Sequence, residues 1–232
     1  MITFNGVSLN SVAPVKVEDV HISPIQLTPV AGSRAIKYGA DFVRMGGGAR
    51  NISVTFAILE KNRVLRHEYL MAVSEWAKTD AEYLFEVPED PTRGLYCVCT
   101  EKPDPSTRQW WENGLRLAFV CFDNPYWTSK YTKAVTCGTQ FNVMGDAPPL
   151  MTIENTFADS ASSVAYSDGT DTMTFSTIPA GNMVIDLNNQ TAAVGGTSIM
   201  GNYLPSGSFL IPKTGVQTIT GTGTVKFRER WK

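Results

Sequence analysis

The chain has 232 residues, 43% hydrophobic and 18% charged, enough to bury a core and too apolar for a disordered segment. Twenty Lys and Arg against 22 Asp and Glu leave a net charge of −2, which argues against the basic stripe of a sequence-specific nucleic-acid binder. No apolar run nears the ~20 residues that cross a bilayer, and Met1-Ile-Thr-Phe-Asn-Gly6 reads as a strand and turn, so cytoplasmic synthesis without membrane insertion is expected.

Asn5-Gly6 is a turn dipeptide between short apolar runs. Val15 and Val17, then Val20 and Ile22, alternate with a slip between the pairs, and Asp19 marks a bulge there. Pro24 and Pro29 confine the next stretch to an edge or loop. Ile36-Lys-Tyr-Gly-Ala-Asp-Phe-Val43 is strand material, broken by Gly46-Gly-Gly48. In 51–58 the residues Ile52, Val54, Phe56 and Ile58 then alternate with Asn51, Ser53, Thr55 and Ala57, one face for a core and one for water or a partner. A triple glycine between strands suits a long hairpin around 31–50, which has no evident role inside a monomer.

Leu65, Tyr69, Ala72, Val73 and Trp76 recur at helical spacing after Asn62, a candidate N-cap, so a helix burying Leu65, Val73 and Trp76 is expected. Tyr96 and Val98, then 115–121, supply two further strands. Trp110-Trp111 between them point to opposite faces of an extended chain, serving as a loop anchor or as an oligomer contact. Cys121-Phe-Asp-Asn-Pro-Tyr-Trp127 ends the last strand, because Pro125 has no N–H for a ladder and holds Asn124 extended. The expected first domain, 1–132, is an antiparallel α+β sandwich with one helix and a long hairpin arm.

Gly145-Asp-Ala-Pro-Pro149 reads as a linker signal, giving a linker at 133–145 and a second domain at 146–232. Short strands are expected at 150–153, 163–166, 172–175, 183–187, 190–194, 208–211, 215–220 and 222–228, with a hairpin turning at Asn188-Asn189. That spacing indicates a jelly-roll β-sandwich, so the chain as a whole is mainly β.

Catalytic signals are lacking. His21 falls in a strand and His67 on the polar side of the helix, with no G-x-S-x-G elbow, and Glu89-Asp90 and Asp168/Asp171 fit turn chemistry. Cys97, Cys99, Cys121 and Cys137 lack metal-ligand spacing and read as reduced core thiols. No catalytic or metal residue and no cofactor is expected. Carbohydrate binding is the rival reading, with Trp231, Tyr203 and Tyr166 as candidate stacking residues.

Arg50-Asn-Ile-Ser-Val54, Trp76 followed by Thr79-Asp80, Pro88-Glu-Asp-Pro91 before Tyr96, Cys121-Phe-Asp-Asn-Pro-Tyr-Trp127 and Arg228-Glu-Arg-Trp231 occur in an order that resembles the distal tail protein family of long-tailed, non-contractile bacteriophages. The resemblance implies a homohexameric hub in the virion tail tip, in one or two rings, assembled in the host cytoplasm. Its N-terminal domains would form the ring, each hairpin arm embracing the neighbouring subunit, and its C-terminal domains would be galectin-like sandwiches pointing outward. The implied partners are the tail tube protein, the tape measure protein, a tail-tip hub or tail-associated protein and a receptor-binding protein, around a channel for DNA. The second half has no histidine, so the sugar-binding constellation of galectins is not carried over.

Overall fold

The computed structural model describes residues 1–25, 48–103, 114–122, 125–204 and 207–232, together with the backbone alone of 28–33 and 40–46. The chain is mainly β and divides into two compact units, Met1–Trp127 and Thr128–Lys232. Trp110-Trp111, Asp123-Asn124 and the middle of the triple glycine lie outside the described residues.

Unit 1 begins with a tight hairpin, β1 (Thr3–Phe4) and β2 (Val7–Ser8), whose turn is Asn5-Gly6 with both residues at positive φ. A four-residue helix α1 (Leu9–Val12) follows, with Ser8 capping it by accepting the Asn10 N–H. Then come β3 (Val15–Ile22), β4 (Thr28–Ser33), β5 (Ala40–Gly46) and β6 (Arg50–Ile58). The helix α2 (Arg63–Trp76) precedes β7 (Tyr83–Glu86), β8 (Arg93–Glu101) and β9 (Leu115–Cys121).

The expected alternation of 51–58 sets the core. Ile52, Val54 and Phe56 of β6 lie opposite Phe119, Leu117 and Leu115 of β9, and all six are buried. Phe4 and Phe85 close over this face, each ring centroid 5.1 Å from that of Phe119. The bulge sits where Asp19 placed it: β3 pairs with β6 through Val17↔Phe56 and then Asp19↔Thr55, leaving Glu18 as the extra residue.

Asn62 caps α2 by accepting the Val64 N–H at 2.9 Å. The buried stripe differs from the expected one: Leu70, Val73 and Ala77 are in the core, Tyr69 and Trp76 pack at its side, and Leu65 is 40% exposed. Trp76 is fixed by donating its indole N–H to the Val7 carbonyl at 3.0 Å.

The short strand β10 (Trp127–Ser129) marks the boundary between units. Unit 2 contains β11 (Lys133–Thr136), β12 (Gln140–Val143), β13 (Ala147–Phe157), β14 (Ala161–Ser167), β15 (Thr172–Ile178) and β16 (Gly181–Asp186). It ends with β17 (Thr191–Val194), β18 (Thr197–Ser198), β19 (Tyr203–Leu204), β20 (Gly215–Thr218) and β21 (Thr224–Trp231). One sheet runs β18-β17-β16-β13-β21-β11, the second β14-β15-β19, and β12 and β20 form a ribbon. Their inward faces make a separate core that includes Phe175, Met183, Ile185 and Phe227. The expected hairpin at Asn188-Asn189 is β16–β17, with Asp186 Oδ1 accepting both asparagine N–H groups.

Two expectations are corrected here. Residues 133–145 are not a linker: they carry β11 and β12, and β11 pairs with β21 along four residue pairs. The buried Glu229 on β21 ties this segment down, accepting from Lys133 Nζ at 2.6 Å and from the Met144 N–H at 2.9 Å. No strand forms at 208–211, although Leu210 is buried; burial there comes without a ladder.

Thr177 is a β-branched residue at φ +51°, a conformation that costs it about 1–2 kcal/mol. Its side chain is exposed, so Thr177→Gly should raise the stability of unit 2 by about 0.5–1 kcal/mol in urea unfolding. Asp168 is a second local determinant. Burial alone would raise its carboxyl, but the Asp171 N–H, Lys213 Nζ at 2.5 Å and the Thr170 N–H outweigh burial and hold it below the usual carboxylate range. A depressed native pKa means that its stabilisation is complete above the unfolded value of ~3.9 and is lost as pH falls through the native one. Urea midpoints of unit 2 should therefore drop below pH ~4, and Asp168→Asn should flatten that drop while lowering the midpoint at neutral pH.

Candidate assembly surface

Among the described strands β3 pairs only with β6, so no described strand covers its other edge, and the Val15 carbonyl at its start accepts from Asn10 Nδ2 at 3.1 Å. A groove of about 860 Å³ is lined by residues 17–22 of β3 together with residues 87–90, Met1, Ile2 and Trp127. Val20, Val87 and Trp127 give it an apolar lining that continues into the core. Its charged lining includes Asp19 and His21 of β3 with Glu89 and Asp90, and no Lys or Arg; Glu18 also borders it, but its carboxylate lies over β6 beside the Gly114 position. Asp90 is engaged locally, accepting the Thr92 hydroxyl at 2.6 Å and facing Arg93 Nε at 3.5 Å. The Thr92 hydroxyl is the main reason the Asp90 carboxyl lies below its ordinary pKa.

The hairpin expected around 31–50 is β4–β5, paired from Thr28↔Gly46 to Ser33↔Ala40 with a register shift after Val30. It is a two-stranded sheet of its own, and such a ribbon is marginally stable in water without a surface to cover it. Its sequence is basic, with Arg34, Lys37 and Arg44 against Asp41. The base is pinned by reciprocal bonds: the Ser23 N–H donates to the Asn51 carbonyl and the Asn51 N–H to Ser23 Oγ, both at 2.9 Å. Arg50 belongs to β6 and not to the hairpin. It is 5% exposed and opposite Cys121, and its Nε and Nη1 have no hydrogen-bond partner among the described residues. Desolvation lowers its pKa.

The three candidate sugar-stacking residues do not make one platform. Tyr166 is 1% exposed, inside the core, with its hydroxyl 3.4 Å from Asn155 Nδ2. Tyr203 packs its ring against Phe175 and Phe209 and donates its hydroxyl to the Gly207 carbonyl at 2.7 Å. Trp231 is half-buried at the end of β21, on the other sheet. His21 and His67 are exposed on β3 and α2. The four cysteines are free thiols, Cys97 and Cys121 buried. Burial first, and then the Cys121 thiol, push Cys97 far above the ordinary thiol range, which suppresses the nucleophilic thiolate. Among the described residues, no three His, Cys, Asp or Glu side chains come together as a metal site, and no helix is long and apolar enough to cross a membrane.

The groove carboxylates were not legible as a group. Glu89-Asp90 looked like turn chemistry between prolines, and Asp19 stood only for the slip in β3. The available signal was carboxylates at each of two chain irregularities, and only the fold brings Asp19, Glu89 and Asp90 to one groove.

No protein-family model and no curated protein sequence matches the chain. Among solved structures, it is similar to the Dit protein of phage SPP1, described as a paradigm of the hub adsorption apparatus in phages that infect Gram-positive bacteria. That match has 17% identity and a TM-score of 0.72, and covers 100% of this chain and 98% of that one. A chain of the phage p2 baseplate, in its activated conformation with strontium, matches with 9% identity and a TM-score of 0.50, covering 94% and 91%. At these identities the likeness establishes a shared fold, in both units and along the whole length.

Proposed function

We propose that this chain is a structural distal tail protein of a long-tailed phage, a non-enzymatic hub in the virion tail tip. The observation that carries this reading is the end-to-end likeness to the SPP1 hub protein, over 100% of this chain. The isolated β4–β5 ribbon supports it, since a segment that stabilises little in its own unit suits an arm around a neighbour. Six copies close into a ring through a heterologous interface, which ends in a closed assembly and not a fibre. Unit 1 forms the ring and unit 2 serves as a galectin-like docking domain for other tail components: tail tube, tape measure, tail-tip and receptor-binding proteins. The centre of the ring leaves passage for DNA.

Light scattering of the full chain at high concentration, with negative-stain images alongside tail proteins, tests this. Rings of six or twelve copies are expected; a monomer under every condition, with partners present, overturns it. Replacing 28–46 by a short glycine turn should leave unit 1 folded, because the Ser23–Asn51 bonds below the hairpin remain, and should abolish the ring. Unfolding of that variant would show that the hairpin is part of the core. A lectin reading loses Tyr166 to burial and rests on Trp231, so it requires glycan binding by the full chain that Trp231→Ala removes.

A further inference from the structure

We propose that Cys97 and Cys121 are an oxidation site, two facing thiols that hydrogen peroxide converts to a cross-strand disulfide in the folded chain. A row of side chains crosses the core face of the sheet here. The register Val98↔Val120 and Cys99↔Phe119 sets Cys97 of β8 opposite Cys121 of β9. Cys121 is in turn opposite Arg50 of β6, and Cys97 opposite Tyr83 of β7. Both thiols are free and fully buried. Residues directly opposite in an antiparallel pair have Cα atoms about 4.5–5.5 Å apart, inside the ~4.4–6.8 Å that a disulfide spans. The row also lies at the end of the sheet, since Cys121 closes β9 while Arg50 opens β6 and Tyr83 opens β7. Strand ends open at lower cost than strand centres, which gives a small reagent its way in.

Arg50 supplies the charge. Its guanidinium is 5% exposed, and its Nε and Nη1 have no hydrogen-bond partner among the described residues. A cation beside Cys121 stabilises negative charge that builds on sulfur during attack. Burial, and then the Cys121 thiol, hold the Cys97 pKa above the ordinary thiol range, which leaves the first attack to Cys121. The Cys121 sulfur attacks one oxygen of the peroxide, the O–O bond breaks, and a sulfenic acid and one water result. The Cys97 sulfur then attacks the Cys121 sulfur; the S–S bond forms, the S–O bond breaks, and the hydroxyl departs with the Cys97 proton as a second water. The two sulfurs together lose two electrons, and the peroxide takes them. Thiols stay reduced in a cytoplasm and oxidise outside it, so the bond would close after release of the virion. That timing rests on the tail-tip reading, whereas the chemistry does not.

The test uses the full chain carrying Cys99→Ser and Cys137→Ser, which removes the two half-buried thiols and leaves the pair. After a small excess of hydrogen peroxide without denaturant, intact mass should fall by two hydrogens per chain, and peptide mapping should link position 97 to position 121. The transition of unit 1 should rise by about 5 °C or more and return on reduction with dithiothreitol. Adding Cys97→Ala should stop the reaction at a sulfenic acid on Cys121, captured by a cyclic 1,3-diketone. The mass reading on the intact pair decides the matter even if that variant misfolds. Oxygen added to either sulfur of the intact pair, a bond that forms only after unfolding, or no reaction overturns the site. None of these measurements reads assembly, so a missing disulfide leaves the ring reading standing, and a missing ring leaves the site standing.

Discussion

Phe119→Ala is expected to lower the stability of unit 1 by about 3–5 kcal/mol, the cost of deleting a buried aromatic whose surroundings relax only in part. The position is central. Phe119 is fully buried on β9, faces Ile52 across the ladder, and lies 5.1 Å from both Phe4 and Phe85. Those two rings come from β1 and β7, so one side chain holds together strands that are far apart in sequence. Aromatic pairs add ~0.5–1.5 kcal/mol each beyond area burial, which places the loss toward the upper end of the range. For a domain with 5–15 kcal/mol in total, that is a large share.

Guanidinium unfolding followed by tryptophan fluorescence reports mostly on unit 1, since Trp76, Trp110, Trp111 and Trp127 precede the boundary and only Trp231 follows it. Two controls give the loss its meaning. Phe119→Leu keeps most of the volume and should cost under ~1.5 kcal/mol. Phe122→Ala, at a side chain 57% exposed, should stay within about 0.5 kcal/mol of wild type. Equal losses for Phe119→Ala and Phe122→Ala would show that the aromatic cluster does not hold the unit.

The elements legible in the sequence are those whose signal is local. The alternation of 51–58 and 115–121 became β6 and β9 in register, the slip at Asp19 became a bulge, Asn62 became a cap, and Asn188-Asn189 became a hairpin turn. Period alone did not settle which stripe of α2 is buried. Val64, Leu65 and Met71 are exposed apolar residues beside the buried Leu70 and Val73, so several adjacent stripes fit a helical spacing and the sheet selects one of them. The four-residue α1 is too short to show a period at all.

The candidate assembly surface was half legible. A long hairpin with nothing to do in its monomer could be seen in the glycines and the strand pattern, and β4–β5 is that ribbon. The groove along β3 could not, because Asp19 and Glu89-Asp90 are some seventy residues apart in sequence and line one groove only in the fold. Tyr166, as a candidate sugar residue, was misplaced for a related reason. Tyr166 has the sequence neighbourhood of an exposed turn, Ser167-Asp-Gly169, yet its position on β14 points it into the core beside Met173.

Gly145 is the sharpest case of a residue that sequence and structure read differently, and Gly145→Ala should lower the stability of unit 2 by at least ~2 kcal/mol. In sequence, Gly145-Asp-Ala-Pro-Pro149 is linker chemistry, where an alanine would be harmless. In the structure Gly145 is at φ +108° and forms a parallel bridge to Arg230, with the Arg230 carbonyl oxygen where a Cβ would stand. That neighbour is backbone, held in place by further bonds: Arg230 Nε donates to the Pro148 carbonyl, and the Lys232 N–H to Asp146 Oδ1 at 2.7 Å. The clash can be relieved only by pulling the end of β21 away from 145–148, which strains the buried Glu229 and its bonds to Lys133 and Met144. Gly169→Ala separates this from ordinary positive-φ strain. Gly169 sits at φ +89° in the Asp168 turn with open space at its Cβ position, so that variant should cost only ~1–2 kcal/mol. Calorimetry on the two variants should place Gly145→Ala clearly below Gly169→Ala in transition temperature; equal shifts would return 145–149 to the role of a linker.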